Sequence, residues 1–303
     1  MSVEISETSD PLDLSFLTKN IKSERDMPDW SNSPAYITIS TILAELTESV
    51  KSKPRSCERV VRPIIHKIVE ALEKCDQYLQ EIEPINAPMR FGNRAFRIWL
   101  TKVYDNRAEI LKEVSTHPET HEYFVQSFGS WTRIDYGTGH EFSFLAFIVS
   151  LLSLGILTKE DYPAIVFDVF WRYWDLIVAV QKRYNQEPAG SHGSWGLDDY
   201  VCLPFVFGSS QLVDHYEITP SNVIDPTLSK GYSSEFSYCR WIDYIYQVKK
   251  GNFAEHSRML YSLRNVIHFT KLTGGMLKMY HGEIMDRFLV VQHFRFGELL
   301  KWE

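Results

Sequence analysis

Hydrophobic residues recur every three or four positions along most of this sequence, which is the spacing of one face of an α-helix. The first such stripe follows Ser33 and Pro34, a pair typical of a helix start because serine caps the chain and proline fits the first turn. A second stripe runs from Val61 to Cys75, and Thr116 precedes Glu119 as in a capping box. No segment alternates like a strand bounded by hairpin turns, so the pattern predicts an all-α, irregular multi-helix fold.

The remaining helices are predicted from the same periodicity and from the residues that break it. Two of them end at about residues 114 and 127, and one begins at residue 198. The others cover residues 142–154, 158 to about 184, 221–224, 234–249 and 273–288. The polar residues 1 to about 30 predict a loosely ordered arm, followed by a single domain over residues 31–303. The longest uncharged run, residues 142–157, is short for a membrane span and predicts a buried helix, so we expect no membrane partner.

Composition narrows the class of protein. The chain has 303 residues, and 44% of them are hydrophobic, which is ample for a substantial core. The net charge of -7 argues against nucleic-acid binding through a broad basic surface. Four cysteines lack the spacing of zinc or disulfide sites, and the polar N-terminus does not look like a signal peptide. We therefore expect reduced thiols and a cytoplasmic or nuclear location.

One segment, residues 128–144, concentrates the polar chemistry in front of a buried helix. Its glycines Gly137 and Gly139 can bring backbone N–H groups close to a ligand, and the helix start offers a partial positive charge that suits phosphate. A second glycine-rich segment, residues 188–200, is expected to face it across one site. The pattern matches neither a dinucleotide fingerprint nor a phosphate loop, and glycines before a helix usually form only a turn, so both interpretations stay open.

The charged residues of these segments allow two interpretations each. Arg133 could clamp a phosphate with forked hydrogen bonds, or it could form an ion pair with Asp135 or Glu141. Asp198 and Asp199 could cap a helix, or one of them could bind Mg²⁺, which often takes only one or two protein carboxylates beside phosphates and waters.

Aromatic and imidazole side chains complete the set of candidates. Trp195 could stack on a proline ring or a base, or it could anchor its loop in the core. His140, His192 and His293 lie too far apart in sequence for a zinc signature. We expect His140 and His293 to hydrogen-bond loops or ligand instead.

Seven short motifs occur in a fixed order over about residues 33–300. They are Phe91-Gly-Asn-Arg-Ala-Phe96, Tyr136-Gly-Thr-Gly-His-Glu141, Gly190-Ser-His-Gly193 with Trp195-Gly-Leu-Asp-Asp199, Phe207-Gly-Ser-Ser-Gln-Leu212, Ala254-Glu-His-Ser257, Leu277-Lys-Met-Tyr280 and Val291-Gln-His-Phe294. Together they resemble the phosphotyrosyl phosphatase activator family, the activators of protein phosphatase 2A, and the sequence is most similar to a fungal member of the pair represented in yeast.

The resemblance implies an all-α fold with core, lid and linker subdomains around a deep cleft. The cleft would bind ATP and Mg²⁺ together with the phosphatase catalytic subunit, whose metal-loaded Ser/Thr activity the protein would restore. The resemblance also implies peptidyl-prolyl cis-trans isomerase activity on proline-containing peptide segments. The alternatives are a stand-alone prolyl isomerase and a non-catalytic helical scaffold.

The resemblance assigns site residues in three groups. The nucleotide positions would be Arg133, Thr138, Gly139, Gln292, His293 and Phe294. The Mg²⁺ contacts would be Gly193, through its carbonyl, and Asp199, and the peptide-facing catalytic positions would be Trp195 and Asp198. The sequence departs from the family at Asn252 and Leu289, which stand where the family usually has proline, and at residues 266–269. These departures bear on the lid position and the partner contacts first.

Overall fold

The structure is a computed structural model that describes residues 17–190 and 196–303. Helices dominate it, and the predicted all-α class is confirmed. In chain order they are α1 (Met27–Asn32), α2 (Pro34–Ser49), α3 (Pro63–Glu81), α4 (Ala95–Asp105), α5 (Arg107–Ile110), α6 (Pro118–Gln126), α7 (Thr138–Ser153), α8 (Tyr162–Ala164), α9 (Trp171–Tyr184), α10 (Leu203–Gln211), α11 (Pro226–Gly231), α12 (Ser237–Val248), α13 (Phe253–His256), α14 (Arg258–Leu263), α15 (Phe269–Tyr280) and α16 (Phe288–Val291). Among the described residues, no helix is long and apolar enough to cross a membrane.

Short irregular helical turns link some of these helices. They are 3₁₀ turns at Glu24–Asp26 and Lys159–Asp161 and π-helical turns at Ile165–Phe170 and His281–Met285. Each π-helical turn directly adjoins an α-helix, the first between α8 and α9 and the second after α15. Such single π turns are frequent at functional sites.

Helix α7 lies at the centre of the core. From Glu141 to Leu151 every residue is buried, because the apolar residues of this stretch lie on all sides of the helix and not only along one stripe. Helices α2, α6 and α16 and the second π-helical turn pack against it. The residues of its first turn, Thr138, Gly139 and His140, remain partly exposed. The core therefore fixes α7 while its N-terminus stays accessible.

Two predicted helix starts are confirmed in detail. The hydroxyl of Ser33 accepts the N–H of Tyr36 at 3.1 Å, and Pro34 is the first residue of α2. The Asp161 carboxylate accepts the N–H of Thr158 at 2.8 Å. These local signals define helix starts because they need only neighbouring residues.

The predicted capping box at Thr116 is wrong. His117 caps α6 instead, since its Nδ1 accepts the N–H of Glu119 at 3.3 Å. The Glu119 side chain is buried, and its carboxylate accepts the N–H groups of Leu299 and Leu300 at 2.8 and 2.9 Å. The residue therefore holds the C-terminal segment rather than the start of its own helix.

Other predicted boundaries also differ from the structure. The helix predicted to end near residue 114 breaks at Asn106, between α4 and α5, and residues 221–224 form a turn. Helix α10 begins at Leu203 rather than at Asp198, whose carboxylate instead accepts the N–H groups of Tyr200 and Val201 at 3.0 and 3.3 Å. The aspartate caps a turn that precedes the helix.

Residues 17–30, the described part of the predicted N-terminal arm, are mostly exposed and contact the rest of the chain at a few positions. Trp30 is fully buried, and its Nε1–H donates to the carbonyl of Met285 at 2.7 Å. Thr18 and Phe296 exchange two backbone hydrogen bonds of 2.9 Å. A buried indole and this backbone pairing hold the segment against the C-terminal part of the chain.

Two short strands connect the glycine-rich segments. Strand β1 (Asp135–Tyr136) runs parallel to β2 (Glu187–Pro188). The N–H of Ala189 also donates to the carbonyl of Tyr136 at 2.8 Å. The first glycine-rich segment and the start of the second therefore lie side by side, joined by backbone hydrogen bonds.

Candidate functional site

A cavity of about 650 Å³ opens beside the N-terminus of α7. Its wall comes mainly from residues 129–133, the first turns of α7 and residues 289–295, with Ala189 and Gly190 between them. The predicted nucleotide positions that line it are Arg133, Thr138, Gly139, Gln292, His293 and Phe294. All the residues of that predicted set therefore meet in one cavity, although they come from distant parts of the sequence.

The loop that carries Arg133 is held in a strained conformation. Ile134 has a φ of 55°, in the left-handed region that β-branched residues rarely adopt. Its N–H donates to the carbonyl of Ser130 at 2.8 Å, and the N–H of Ser130 donates to the carbonyl of Asp135 at 3.0 Å. Gly92 packs so closely behind the turn that a Cβ there would lie 2.7 Å from Ile134 Cγ2. Strain of this kind persists only where surrounding contacts impose it, and it is common at functional sites.

The start of α7 presents free backbone donors. The N–H groups of Thr138 and Gly139 reach no hydrogen-bond acceptor within residues 17–190 and 196–303, as expected in a first helical turn. Gly137 allows the helix start to approach the second segment, because a Cβ at this position would lie 2.8 Å from the Cβ of Ala189. The donors and the helix dipole together favour an anionic ligand.

Arg133 brings a charge to the same wall. Its side chain is 50% exposed, and its Nε–H donates to Asp135 Oδ2 at 2.6 Å. The predicted ion pair therefore exists, with Asp135 and not with Glu141 as its partner. The terminal guanidinium nitrogens make no hydrogen bond to the described part of the chain. Asp135 orients the group and leaves its terminal nitrogens available to a ligand.

The environment favours the neutral form of two histidines in the wall. Burial lowers the pKa of His140 to about 4, and its Nδ1 accepts the N–H of Gly137 at 3.3 Å while the ring stacks on Tyr136. Burial also lowers the pKa of His293, and the positive charge of Arg133 adds to the effect. For His140, the prediction of a loop hydrogen bond is confirmed.

The C-terminal part of the wall is fixed by aromatic packing. Phe294 is 4% exposed, stacks on Tyr123 with ring centroids 5.5 Å apart, and lies 5.0 Å from the ring of Phe142. The side-chain amide of Gln292 donates to the carbonyl of Leu289 at 3.1 Å. Phe294 thus forms an apolar floor, and the polar side chains of its neighbours remain at the rim.

Asp198 borders a second, smaller cavity of about 40 Å³. Met259, Met279 and Ile284 form an apolar side of this cavity, Glu283 lines it beside Asp198, and Thr138 borders both cavities. Burial raises the pKa of Asp198, although its backbone hydrogen bonds oppose that shift. The structure therefore places the predicted peptide-facing carboxylate next to the nucleotide positions but not among them.

Asp199 belongs to neither cavity wall. Its carboxylate pairs with Lys249 Nζ at 2.6 Å, and 40% of its side chain is exposed. The described residues contain no group of three or more His, Cys, Asp or Glu side chains that could hold a metal ion. A single carboxylate still fits a Mg²⁺ ion whose other ligands are phosphates and waters. The Mg²⁺ contact predicted for Asp199 stays a prediction.

Three candidates fall in the gap between the described residues. His192, Gly193 and Trp195 lie between Gly190 and Gly196, where the description stops and resumes. Of the described residues on either side of this gap, Gly190 lines the large cavity and Gly196 lines the small one. The metal contact predicted for Gly193 and the peptide contact predicted for Trp195 stay predictions.

Sequence reasoning missed several residues of the large cavity. Trp131 lies inside the first glycine-rich segment, so its position carried a usable signal. Leu289, at which the sequence departs from the family, lines the cavity and is 55% exposed. Gln126, at the end of α6, carried no signal that could distinguish it from an ordinary surface residue.

Comparisons with known proteins show which family this chain belongs to. The family model described as phosphotyrosyl phosphate activator (PTPA) protein matches residues 17–302. A serine/threonine-protein phosphatase 2A activator of Drosophila melanogaster is 34% identical over 293 residues, covering 95% of this chain and 74% of that protein. A serine/threonine-protein phosphatase 2A activator 2 of Candida albicans is 36% identical over 293 residues, covering 94% of this chain and 82% of that protein.

A solved structure shows the same fold. The crystal structure of the PP2A phosphatase activator Ypa1 superposes with a TM-score of 0.89 at 33% sequence identity, covering 95% of each chain. The helical architecture and its order along the chain are therefore shared over nearly the whole length.

Proposed function

The chain belongs to the phosphotyrosyl phosphatase activator family, and from this premise we propose that it activates a protein phosphatase 2A catalytic subunit with ATP and Mg²⁺. It binds the inactive subunit and restores the metal-loaded Ser/Thr phosphatase. ATP hydrolysis then belongs to the assembly of the two proteins and not to this chain alone.

The observation that supports this most directly is the meeting of the predicted nucleotide positions in one cavity. Its volume of about 650 Å³ lies within the range of roughly 300–1,000 Å³ that is typical of small-molecule sites. A nucleotide needs both an apolar surface and phosphate donors. Phe294 and Trp131 offer the apolar surface, and Arg133 and the start of α7 offer the phosphate donors.

Each described group has a definite task in this proposal. Arg133 binds phosphate oxygens through its terminal nitrogens, and the N–H groups of Thr138 and Gly139 add uncharged donors. Bound Mg²⁺ would neutralise phosphate charge, with the carboxylate of Asp199 and the carbonyl of Gly193 as its protein ligands. Neutral His293 can hydrogen-bond at the rim without adding charge.

The composition of the cavity wall favours a shared site. None of the described lining residues is an aspartate or a glutamate. If the attacking water is oriented by a carboxylate, as in one class of phosphoryl-transfer sites, that carboxylate comes from another segment or from the phosphatase. This supports hydrolysis that depends on the partner.

Reactivation of a metal-depleted catalytic subunit tests the proposal. The wild-type protein with ATP and Mg²⁺ should restore phosphoserine phosphatase activity, and neither Arg133→Ala nor Asp199→Ala should do so. Circular dichroism must show that both variants are folded. Normal reactivation by either variant would remove that residue from the site.

We also propose that the chain is a peptidyl-prolyl cis-trans isomerase, and the smaller cavity beside Asp198 supports this activity. Met259, Met279 and Ile284 form an apolar side of a space of about 40 Å³ that Asp198 and Glu283 also line. The rotation barrier of a prolyl bond is about 18–20 kcal/mol and arises from amide resonance, so a surface that binds the twisted imide best lowers it. Trp195 would supply a second wall for the proline ring.

A proline-containing peptide substrate tests this activity. Isomerisation should proceed without ATP or phosphatase, and Met279→Glu should abolish it by placing a carboxylate on the apolar side of the cavity. Met259→Leu, which keeps an apolar side chain of similar volume, should retain most of it. Full activity of Met279→Glu would contradict the assignment of the cavity.

A further inference from the structure

Glu141 is a buried carboxylate to which the proposed function gives no task. It is 0% exposed and lies one turn inside α7, directly after the cavity-lining residues Thr138 to His140. Its Oε2 accepts the N–H of Cys202 at 2.8 Å and the N–H of Leu203 at 3.0 Å. The carboxylate therefore ties the start of α7 to the start of α10.

A third donor completes this arrangement. The Nε1–H of Trp174 donates to Glu141 Oε1 at 3.2 Å, so both carboxylate oxygens are engaged. Burial raises the pKa of Glu141 to about 8, and the three hydrogen bonds oppose that shift by stabilising the anion. Three donors converging on one buried carboxylate define its position closely.

The segment that Glu141 holds is the one that carries the second half of the site. Cys202 follows Asp198 and Asp199 by only a few residues, and Asp198 closes the intervening turn by accepting the N–H groups of Tyr200 and Val201. The backbone from residue 198 to residue 203 is thus a short, hydrogen-bonded unit anchored at one end by Glu141.

A second path connects the same two carboxylates through the core. The ring of Trp174 packs edge-on against Trp241 with centroids 6.2 Å apart. The Nε1–H of Trp241 points to Asp198 Oδ2 at 3.5 Å, a long contact. Two buried indoles therefore lie between Glu141 and Asp198, in addition to the backbone of residues 198–203.

We propose that Glu141 is a positioning residue that couples the phosphate-binding start of α7 to the segment carrying Asp198 and Asp199. The inference rests on the proposed function, because it assigns Asp199 to Mg²⁺ and the start of α7 to phosphate. Glu141 touches neither ligand. Its task is to set the separation between them, as groups behind a metal ligand commonly do.

The simpler interpretation is that Glu141 only caps α10, and the chain supplies a matched control for it. Glu119 is also 0% exposed and accepts two successive backbone N–H groups, those of Leu299 and Leu300. Tyr123 donates to it at 3.1 Å, as Trp174 donates to Glu141. Glu119 thus has the same architecture but holds a segment that carries neither Asp198 nor Asp199.

Hydrogen exchange of the full chain tests the coupling without any ligand. In Glu141→Leu, amides of residues 196–203 should exchange about tenfold faster than in wild type, while the buried part of α7 stays protected. Glu141→Gln keeps one acceptor and should give a smaller increase in the exchange rate. This variant replaces Glu141→Leu if the leucine variant does not fold. Glu119→Leu should accelerate amide exchange at residues 299–300 and leave exchange at residues 196–203 unchanged.

The Mg²⁺ requirement separates positioning from capping. In the complex with the phosphatase catalytic subunit, Glu141→Gln should raise the Mg²⁺ concentration for half-maximal ATP hydrolysis about tenfold. Glu119→Gln should leave this Mg²⁺ concentration unchanged, although it should lose about as much thermal stability as Glu141→Gln.

Two results would overturn the inference: unchanged exchange of residues 196–203 in both Glu141 variants, or faster exchange with an unchanged Mg²⁺ requirement. A wild-type complex that hydrolyses no ATP would instead reject the proposed function, and the exchange comparison would then decide the coupling by itself.

Discussion

The Nε–H of Arg133 donates to Asp135 Oδ2 at 2.6 Å, and this ion pair aims the rest of the guanidinium at the large cavity. Asp135 is 6% exposed and belongs to β1, so its carboxylate has little freedom to move. An arginine held through Nε keeps its two terminal nitrogens free for a forked contact. Ion pairing and phosphate binding are therefore compatible at this residue.

This geometry predicts that Arg133→Lys binds nucleotide poorly although it keeps the charge. A lysine offers no planar fork and cannot donate to Asp135 and to a phosphate in the same way, so affinity should fall about tenfold. Titration of the phosphatase complex with a fluorescent ATP analogue measures it. Arg97→Lys is the control, because Arg97 holds the same loop through the carbonyls of Trp131 and Thr132 but does not line the cavity. Equal affinities for Arg133→Lys and wild type would contradict the clamp.

The two glycines at the start of α7 should respond differently to a methyl group. A Cβ at Gly137 would lie 2.8 Å from Ala189 Cβ, so Gly137→Ala should destabilise the protein by roughly 1–3 kcal/mol. A Cβ at Gly139 would have ordinary contacts of 3.5 Å with Val290, so Gly139→Ala should keep wild-type stability. Urea denaturation of both variants measures this, and equal midpoints would show that the close approach of Gly137 is unimportant.

His140 should make the fold sensitive to acid. Its folded pKa of about 4 lies below the ordinary value of 6.5, so the unfolded chain binds more protons between these values and stability is lost as pH falls from about 6.5 to about 4. Protonation would also break the Gly137 N–H to Nδ1 bond. The free-energy advantage of wild type over His140→Phe should shrink by roughly 1–3 kcal/mol over this window. Denaturation at several pH values measures the difference, and a constant difference would contradict the shift.

Lys249 should compete with Mg²⁺ for Asp199. Because its Nζ lies 2.6 Å from Asp199 Oδ2, Lys249→Met should free the carboxylate and lower the Mg²⁺ concentration that supports ATP hydrolysis in the complex. We expect a several-fold decrease. Lys250→Met is a matched control on an exposed neighbour. If Lys249→Met instead raised the Mg²⁺ concentration needed for ATP hydrolysis, the ion pair would position Asp199 rather than keep Mg²⁺ from it.

The sequence predicted the parts of this molecule that depend on neighbouring residues. Ser33 and Asp161 cap their helix starts because a cap needs only a few adjacent positions. The uncharged run after Gly139 could only become a buried helix, and the glycine-rich segments before and after it could be expected to meet.

Contacts between distant residues could not be predicted in the same way. Glu119 follows Thr116 at capping-box spacing, yet the competing contact with Leu299 and Leu300 prevails because a buried carboxylate gains two charge-assisted hydrogen bonds there. The pair of Asp199 with Lys249 likewise depends on how α12 packs, which no local pattern encodes.

ATP hydrolysis with Mg²⁺ by this protein, alone and mixed with the metal-depleted phosphatase catalytic subunit, tests the central proposal most directly. We predict hydrolysis only in the mixture, together with recovery of phosphatase activity, because in our proposal the phosphatase catalytic subunit completes the nucleotide site. Hydrolysis by the protein alone, or in neither sample, would contradict a nucleotide site shared with the phosphatase.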